Sequence, residues 1–198
     1  MSRLRTFIAV DPGQAIRDRL VALQENLARA GSDMKWVEPQ NLHVTLLFLG
    51  EVDNRELPAV CRAVADACSR IARFAMTVGG VDCFGSPRRP RTVWAGLTEG
   101  GPELVALHDA LEQPLLELGC YRREGRAFTA HLTLGRVKGE RDDDAVAATL
   151  PQLANWEGGT IEVREVLVMS SELRSGGPLY TVLSRARLPK TVAPLEDE

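Results

Sequence analysis

Two tetrapeptides of the same form, His43-Val44-Thr45-Leu46 and His131-Leu132-Thr133-Leu134, lie far apart in the chain. Each is a His-x-Thr-x motif with aliphatic x positions, and each lies in an apolar stretch typical of a β-strand. Because side chains alternate between the two faces of a strand, the histidine and threonine of each motif share one face. The pattern therefore predicts two strands, each with a core side and a side that carries an imidazole beside a hydroxyl.

The same alternation predicts which neighbours are buried. We expect strands over 43–49 and 128–137. Their core faces would carry Leu42, Val44, Leu46 and Phe48 in the first strand, and Phe128, Ala130, Leu132 and Leu134 in the second.

A structural role and a metal site are the competing interpretations of these histidines. A single histidine in a strand is most often structural, but a matched pair makes that reading much weaker. Zinc requires three or four protein ligands, and no third His, Cys or carboxylate stands at ligand spacing beside either motif. The third histidine, His108, borders the apolar stripe of a predicted helix over 103–118 and is interpreted as a helix-edge residue. We expect neither a metal nor a cofactor.

Composition favours a cytoplasmic globular protein. The 198 residues, 44% hydrophobic and 26% charged, suffice for one substantial core or for two lobes that share one. The N-terminus lacks a signal-peptide pattern, and no apolar run reaches membrane-spanning length. Four cysteines without CxxC spacing indicate reduced thiols.

Arginines cluster in two predicted loops, although the net charge is −3. The guanidinium group suits phosphate because it binds two oxygens at once, whereas the alternative is an ordinary solvated loop. The clusters are Arg88, Arg89 and Arg91, and Arg122, Arg123 and Arg126.

The order of predicted elements indicates an α+β protein with two related halves. Each motif strand is preceded and followed by a helix, and no glycine-rich linker separates the halves. We expect one domain over 1–188, with 160–169 and 179–188 as closing strands, and an acidic, disordered tail over 189–198. Pro114 is expected to kink or split its helix.

Two imidazoles and two hydroxyls suit in-line displacement at phosphorus. The attacking and leaving oxygens lie on opposite sides of the phosphorus, so a base and an acid must flank it. With an ordinary pKa near 6.5, one imidazole can be neutral while the other is protonated. Each threonine can donate a hydrogen bond to a phosphate oxygen as charge develops.

At this level the chain resembles the two-histidine (2H) phosphoesterases, and within them the RNA 2′,3′-cyclic phosphodiesterases, also called 2′-5′ RNA ligase or LigT-like proteins. The resemblance spans nearly the whole chain. It rests on stretches that begin at Arg5 (RTFIAV), Trp36 (WVEPQNLHVTLLFLG), Val93 (VWAGL), Phe128 (FTAHLTLGR) and Ser171 (SELRSGGPLY). It implies a bilobal, pseudo-two-fold fold with antiparallel-rich sheets, helices outside and a central cleft.

The resemblance also implies a reaction and its residues. The family hydrolyses RNA 2′,3′-cyclic phosphate ends to 2′-phosphates without metal, and joins RNA ends reversibly through 2′-5′ links. It implies His43 as proton donor and His131 as proton acceptor, with Thr45, Thr133 and Arg136 binding substrate. The sequence alone does not order the two histidines, because their motifs are nearly symmetric.

Arg136 poses a geometric difficulty, since in a regular strand it would face away from His131. A bulge or a strand end at Gly135 would turn it toward the phosphate. Phe7 and Tyr180 are candidates for stacking on a base, although core packing is the favoured interpretation of Phe7.

The implied partners are RNAs with 2′,3′-cyclic phosphate or 2′-phosphate ends, tRNA fragments among them, bound by a monomer. Two alternatives stay open at this point. One is a phosphodiesterase for a small cyclic nucleotide, such as a cyclic phosphate of ADP-ribose. The other is a module that binds RNA ends without turnover.

Overall fold

Nine β-strands and four α-helices form the part of the chain that the structure describes. A computed structural model describes residues 2–86, 89–123, 125, 127–138, 144–175 and 177–192. The strands are β1 (Arg3–Val10), β2 (Met34–Trp36), β3 (Val44–Asp53), β4 (Phe74–Ser86), β5 (Arg89–Glu99), β6 (Leu132–Val137), β7 (Glu157–Val163), β8 (Glu165–Arg174) and β9 (Gly177–Arg187). The helices are α1 (Gly13–Arg29), α2 (Leu57–Cys68), α3 (Gly101–Glu117) and α4 (Asp144–Thr149). Arg88, Arg126 and residues 193–198 of the expected tail lie outside the described residues.

The two motif strands, β3 and β6, lie side by side at the centre of a single antiparallel sheet, joined by the pair Val44 and Leu132. Beyond β3 follow β1, β8 and β9, and beyond β6 follow β5, β4 and β7. The short β2 also pairs with β6. Each half therefore consists of four successive strands that start from its own motif, which confirms the expected α+β class and its pseudo-two-fold arrangement.

Each motif strand contains an extra residue, relative to its outer neighbour, at the last position of its motif, and β3 contains a second one at Leu49. In β3, Thr45 pairs with Ala9 and Leu47 with Ile8, so Leu46 is the extra residue. In β6, the register shifts in the same way at Leu134. A bulge of this kind reverses the alternation of side chains up to the next bulge or the end of the strand.

The first bulge overturns one prediction about the core. Phe48 was expected to be buried, but 55% of its surface is exposed, whereas Leu47 is buried beside Leu46. The reason is that the extra residue moves Leu47 to the core face and Phe48 to the motif face. The second motif strand is also shorter than expected, because β6 begins after His131.

The predicted single strand over 160–169 is wrong, because it breaks at Arg164 into β7 and β8. The strand β7 pairs with β4 at one edge of the sheet, whereas β8 pairs with β1 near the other. One residue spans less than about 4 Å, so these distant strands must approach each other. The sheet is therefore curled.

Helices cover one face of the sheet. Helix α3 presents the predicted apolar stripe to the core and runs without a break through Pro114, which lies in its last turn and removes a single intrahelical hydrogen bond. The predicted split there does not occur. The fully buried side chains of α1 and α3 are Ile16, Leu20, Leu23, Leu27, Leu104, Leu107, Leu111 and Leu115.

The four cysteines form no disulfide. Of the helices in the described ranges, none combines the length and apolar character needed to cross a bilayer.

Candidate active site

His43 lies immediately before β3, after a single turn of 3-10 helix over Pro39–Asn41. Its Nδ1 lies 2.7 Å from the carbonyl oxygen of Asn41, and its Nε2 lies 2.9 Å from Oγ1 of Thr45. A carbonyl oxygen only accepts, so Nδ1 carries the hydrogen and Nε2 is the titrating nitrogen. The histidine and the threonine share one face, as the motif predicts.

His131 is held in the same way before β6. Its Nδ1 lies 2.7 Å from the carbonyl oxygen of Thr129, which again stands two residues before the histidine. The same tautomer follows, with Nε2 as the titrating nitrogen. The two halves thus fix their imidazoles by the same backbone contact.

The two motifs face each other across the centre of the sheet. The antiparallel pair of Val44 and Leu132 places His43 next to Thr133, and Thr45 next to His131. The two imidazoles are close enough that His131 contributes to lowering the pKa of His43. Each threonine therefore stands beside both its own histidine and that of the other half.

Aromatic rings surround His43. Its ring centroid lies 5.0 Å from that of Phe7 and 5.5 Å from that of Tyr180, which meets it edge-on. Burial is the main cause that lowers the pKa of His43 below 6.5, whereas the Asn41 carbonyl and the charge of Asp11 act in the opposite direction. Phe7 is buried, so its core interpretation is confirmed.

His131 also has two aromatic neighbours, and sequence reasoning missed both of them. The ring of Phe84 meets it edge-on at 4.9 Å, and that of Trp94 lies at 5.8 Å. Trp94 pairs with Thr133 in the neighbouring strand, so only the register of β5 and β6 reveals it.

Arg136 faces the cleft, and the cause is the bulge at Leu134 rather than a change at Gly135 itself. Arg136 lines a cavity of about 980 Å³ together with Thr45, His131 and Thr133. Position 135 is glycine for a packing reason, because a Cβ there would come within 3.0 Å of the side chains of Met34 and Trp36.

The carbonyl of the bulged residue Leu134 has two partners. The side-chain Nε2 of Gln24 donates to it at 2.8 Å, and the backbone N–H of Val37 donates at 2.9 Å. Gln24 comes from α1 and is buried. The Gln24 amide thus supports the irregularity that turns Arg136 into the cleft, a role that the sequence pattern does not reveal.

Phe48 occupies the same place in the first half that Arg136 occupies in the second. Each stands five residues after its histidine and follows a bulge, and both line the same cavity. The cleft therefore carries an exposed aromatic ring from one half and a guanidinium group from the other.

The two arginine clusters have different surroundings in the structure. Arg89 and Arg91 line the cavity. In the second cluster, Arg123 forms an ion pair with Glu112 at 3.0 Å, and Arg122 is exposed.

His108 lies at the edge of α3 as interpreted, but it also lines the cavity, where its ring stacks on Phe128 at 4.5 Å. Within the described residues, no group of three His, Cys, Asp or Glu side chains is placed to hold a metal ion.

Comparisons with known proteins agree with this geometry. The family model described as LigT like Phosphoesterase matches residues 10–94 and, a second time, residues 97–180, so that each match contains one motif. The RNA 2′,3′-cyclic phosphodiesterase of Methanothermobacter thermautotrophicus is 37% identical over 187 residues, which cover 94% of this chain and 100% of that protein. That of Archaeoglobus fulgidus is 37% identical over 177 residues, covering 89% and 96%.

Solved structures show the same fold. E. coli LigT in its apo form is similar with a TM-score of 0.78 at 25% identity, covering 96% of this chain and 99% of that one. The protein TT0787 of Thermus thermophilus has a TM-score of 0.77 at 29% identity, covering 93% and 98%. Two family matches that each centre on one of the paired motifs leave no ambiguity: the chain belongs to the LigT-like phosphoesterase family.

Proposed function

We propose that this protein hydrolyses 2′,3′-cyclic phosphate ends of RNA to 2′-phosphates, with residues 1–188 acting as one bilobal catalytic unit. The observation that carries the proposal is the pair of imidazoles, His43 and His131, each with Nδ1 bound to a backbone carbonyl at 2.7 Å. Such a pair can place an acid and a base on opposite sides of one phosphorus. Relatives named RNA 2′,3′-cyclic phosphodiesterase support the choice of substrate.

In this mechanism His131 acts as the base and His43 as the acid. Nε2 of His131 accepts a proton from water as the water oxygen attacks phosphorus. The bond from phosphorus to O3′ breaks, and Nε2 of His43 gives its proton to O3′. The 2′-phosphate remains on the ribose, and a proton moves from His131 to His43 through solvent before the next cycle.

The remaining motif residues bind the substrate. Thr45 and Thr133 donate hydrogen bonds to the non-bridging phosphate oxygens, and Arg136 supplies a charge-assisted contact to them. Phe48 offers an exposed ring, 55% accessible, to the terminal nucleoside.

The lowered pKa of His43 bears on its role as acid. In the ligand-free protein near neutral pH, burial leaves this imidazole mostly neutral. A bound phosphodiester carries a negative charge, which raises the pKa of a nearby imidazole. Binding of the substrate therefore protonates His43, and this proton then passes to the leaving O3′. Because the intrinsic pKa of His43 is low, its protonated form is a strong acid.

The same site accounts for 2′-5′ ligation. When the 5′-hydroxyl of a second RNA replaces water, its attack on the cyclic phosphate gives a 2′-5′ phosphodiester, and the reverse step cleaves that link. We propose that the protein acts on such ends as a cytoplasmic monomer, with tRNA fragments among its substrates.

A product analysis tests the proposal. A short RNA that ends in a 2′,3′-cyclic phosphate is incubated in EDTA with the wild type, His43→Ala and His131→Ala. We expect a 2′-phosphate from the wild type, and a loss of about 10²- to 10⁴-fold in each variant.

Three other results of this experiment would each contradict the proposal. Activity that returns only with added metal would refute the acid–base pair. Turnover of small cyclic nucleotides without turnover of RNA would change the substrate, and tight RNA binding without turnover would indicate a binding module.

A further inference from the structure

We propose that Arg91 and Arg89 form a second phosphate subsite, for the phosphate on the 5′ side of the terminal nucleoside. The inference rests on the proposed function and extends it from the reacting phosphate to the next one along the chain. It predicts that the protein prefers substrates with a 5′-phosphate on the terminal nucleoside.

A bulge in the β4–β5 hairpin presents Arg91 to the cavity, which Arg89 also lines. Along the β4–β5 hairpin, Phe84 pairs with Thr92 and Gly85 with Pro90, so Arg91 is the extra residue. Arg89, Pro90 and Arg91 all line the cavity, and the two arginines are exposed while Pro90 is buried.

The hairpin requires glycine at this bulge. The φ of Gly85 is +109°, and a Cβ there would lie 2.5 Å from the carbonyl oxygen of Arg89. The backbone that presents the arginines is therefore defined by close packing within the hairpin.

These arginines continue the line that starts at Arg136. Arg136 pairs with Thr92 across β5 and β6, and Arg91 and Arg89 follow along β5, away from the histidines. A strand advances about 3.3 Å per residue, so Arg89 lies roughly 10 Å beyond Thr92. When the reacting phosphate is bound at Arg136, the terminal ribose extends toward Arg91 and Arg89, and its 5′-phosphate lies beside them.

The charge of the cavity favours a second anion. Arg89, Arg91 and Arg136 line it, and Glu112 is the single carboxylate among the described lining residues. Arg123 already pairs with Glu112 at 3.0 Å. Arg91 makes no ion pair within the described part of the chain. A protein of net charge −3 thus concentrates positive charge beside its histidines, which is the pattern expected for a site that binds successive phosphates.

The test compares substrates that differ in one phosphate. Adenosine 2′,3′-cyclic phosphate, its 5′-phosphorylated form and the dinucleotide ApA 2′,3′-cyclic phosphate are hydrolysed by the wild type, Arg91→Gln and Arg70→Gln. Arg70 is exposed after α2 and serves as the control for the loss of one positive charge.

We expect the wild-type kcat/KM to be higher for the two substrates that carry a phosphate on the 5′ oxygen of the terminal nucleoside than for adenosine 2′,3′-cyclic phosphate. In Arg91→Gln this preference falls roughly tenfold, as expected for one lost charge-assisted contact at an exposed site. The salt dependence of dinucleotide binding also becomes shallower, because one screened charge contact is lost. Arg70→Gln retains the wild-type preference and slope.

Equal kcat/KM values for the three substrates in the wild type would overturn the inference without any variant. An equal effect of Arg91→Gln and Arg70→Gln would overturn it as well.

ADP-ribose cyclic phosphate serves as a further substrate, because its diphosphate could occupy the same subsite. A stronger preference for it than for the dinucleotide would assign the subsite to a diphosphate rather than to an RNA strand. If none of these cyclic phosphates is hydrolysed, it is the proposed function that fails.

Discussion

Gln24 on α1 donates from its Nε2 to the carbonyl of Leu134, the bulged residue of β6, at 2.8 Å. The same nitrogen donates to the carbonyl of Val37, also at 2.8 Å. A helix on the covered face of the sheet thus supports the bulge that turns Arg136 to the open face. The contact connects a buried amide to a residue that we propose to bind substrate.

Replacing Gln24 by leucine tests this connection. The part-buried carbonyl of Val37 and the buried carbonyl of Leu134 each lose a donor, so we expect the free energy of unfolding to fall by about 1–3 kcal/mol. We also expect KM for the cyclic phosphate to rise because Arg136 is misplaced. Kinetics and urea unfolding measure the two effects, with Gln14→Leu on the exposed face of α1 as control.

A double-mutant cycle separates positioning from a general loss of structure. Once Arg136→Ala has removed the guanidinium group, the effect of Gln24→Leu on KM should become small. Fully additive effects on KM would contradict the proposed link between Gln24 and Arg136.

Phe48→Ala should weaken substrate binding without weakening the fold. The ring is 55% exposed, so its removal leaves little cavity, and the melting temperature should stay close to that of the wild type. Stacking of a base on an aromatic ring is worth about 1–3 kcal/mol, which predicts a rise in KM of roughly 5- to 150-fold. Phe48→Tyr keeps the ring and serves as the matched control. A falling melting temperature with an unchanged KM would instead assign Phe48 to packing.

His43 should titrate below 6.5 in the ligand-free protein, because burial lowers its pKa. NMR of the imidazole measures this, and addition of a 2′-phosphate nucleotide should raise the pKa. A pKa that does not respond to the nucleotide would argue against substrate-induced protonation.

The lowered pKa also makes stability depend on pH. Below pH 6.5 the unfolded state binds more protons at this position than the folded state, so the contribution of His43 is fully present above that pH. It is lost as the pH falls toward the folded-state pKa. Urea unfolding at pH 7.5 and pH 5.5 measures this effect. Between these two pH values, the free energy of unfolding should fall less for His43→Asn than for the wild type.

Asn41 should position His43 rather than react. Its carbonyl holds Nδ1 of His43, and its side-chain Nδ2 donates to the carbonyl of Pro178 at 2.9 Å. Pro178 is the second residue of β9, the strand that carries Tyr180 against the imidazole. We expect Asn41→Leu to lower kcat more than it raises KM, with the exposed Gln40→Leu as control.

If Asn41 only stabilised the fold, replacing it would not change the NMR signal of the His43 imidazole. In Asn41→Leu, exchange of the Nδ1 proton of His43 with water should become faster, because the loop that carries its acceptor is no longer tied to Pro178. An unchanged exchange rate together with an unchanged kcat would refute the assignment.

The sequence predicts the paired motifs, the side of the strand that they share and the α+β class, because all of these follow from local alternation and element order. It does not predict Phe48 on the cleft face. Two consecutive leucines, Leu46 and Leu47, are compatible with a strand buried on both faces as well as with a bulge. Only pairing with β1 distinguishes these possibilities.

Non-local pairing also explains the other differences. The strand-like stretch over 160–169 has no turn signal at Arg164, and its division becomes visible only when β7 pairs with β4 and β8 with β1. Trp94 and Phe84 reach His131 through the register between strands, which a single sequence does not encode locally.

The pairing of β1 with both β3 and β8 has a consequence for biosynthesis. During synthesis β1 can pair with β3 soon after both have emerged, whereas β8 follows only after the strands β4 to β7 and the helices α2 to α4. Tyr180, which packs against His43, lies in the hairpin of β8 and β9. A prematurely terminated chain therefore lacks the surroundings of one imidazole, so that fragments released from stalled translation would not act on cellular RNA.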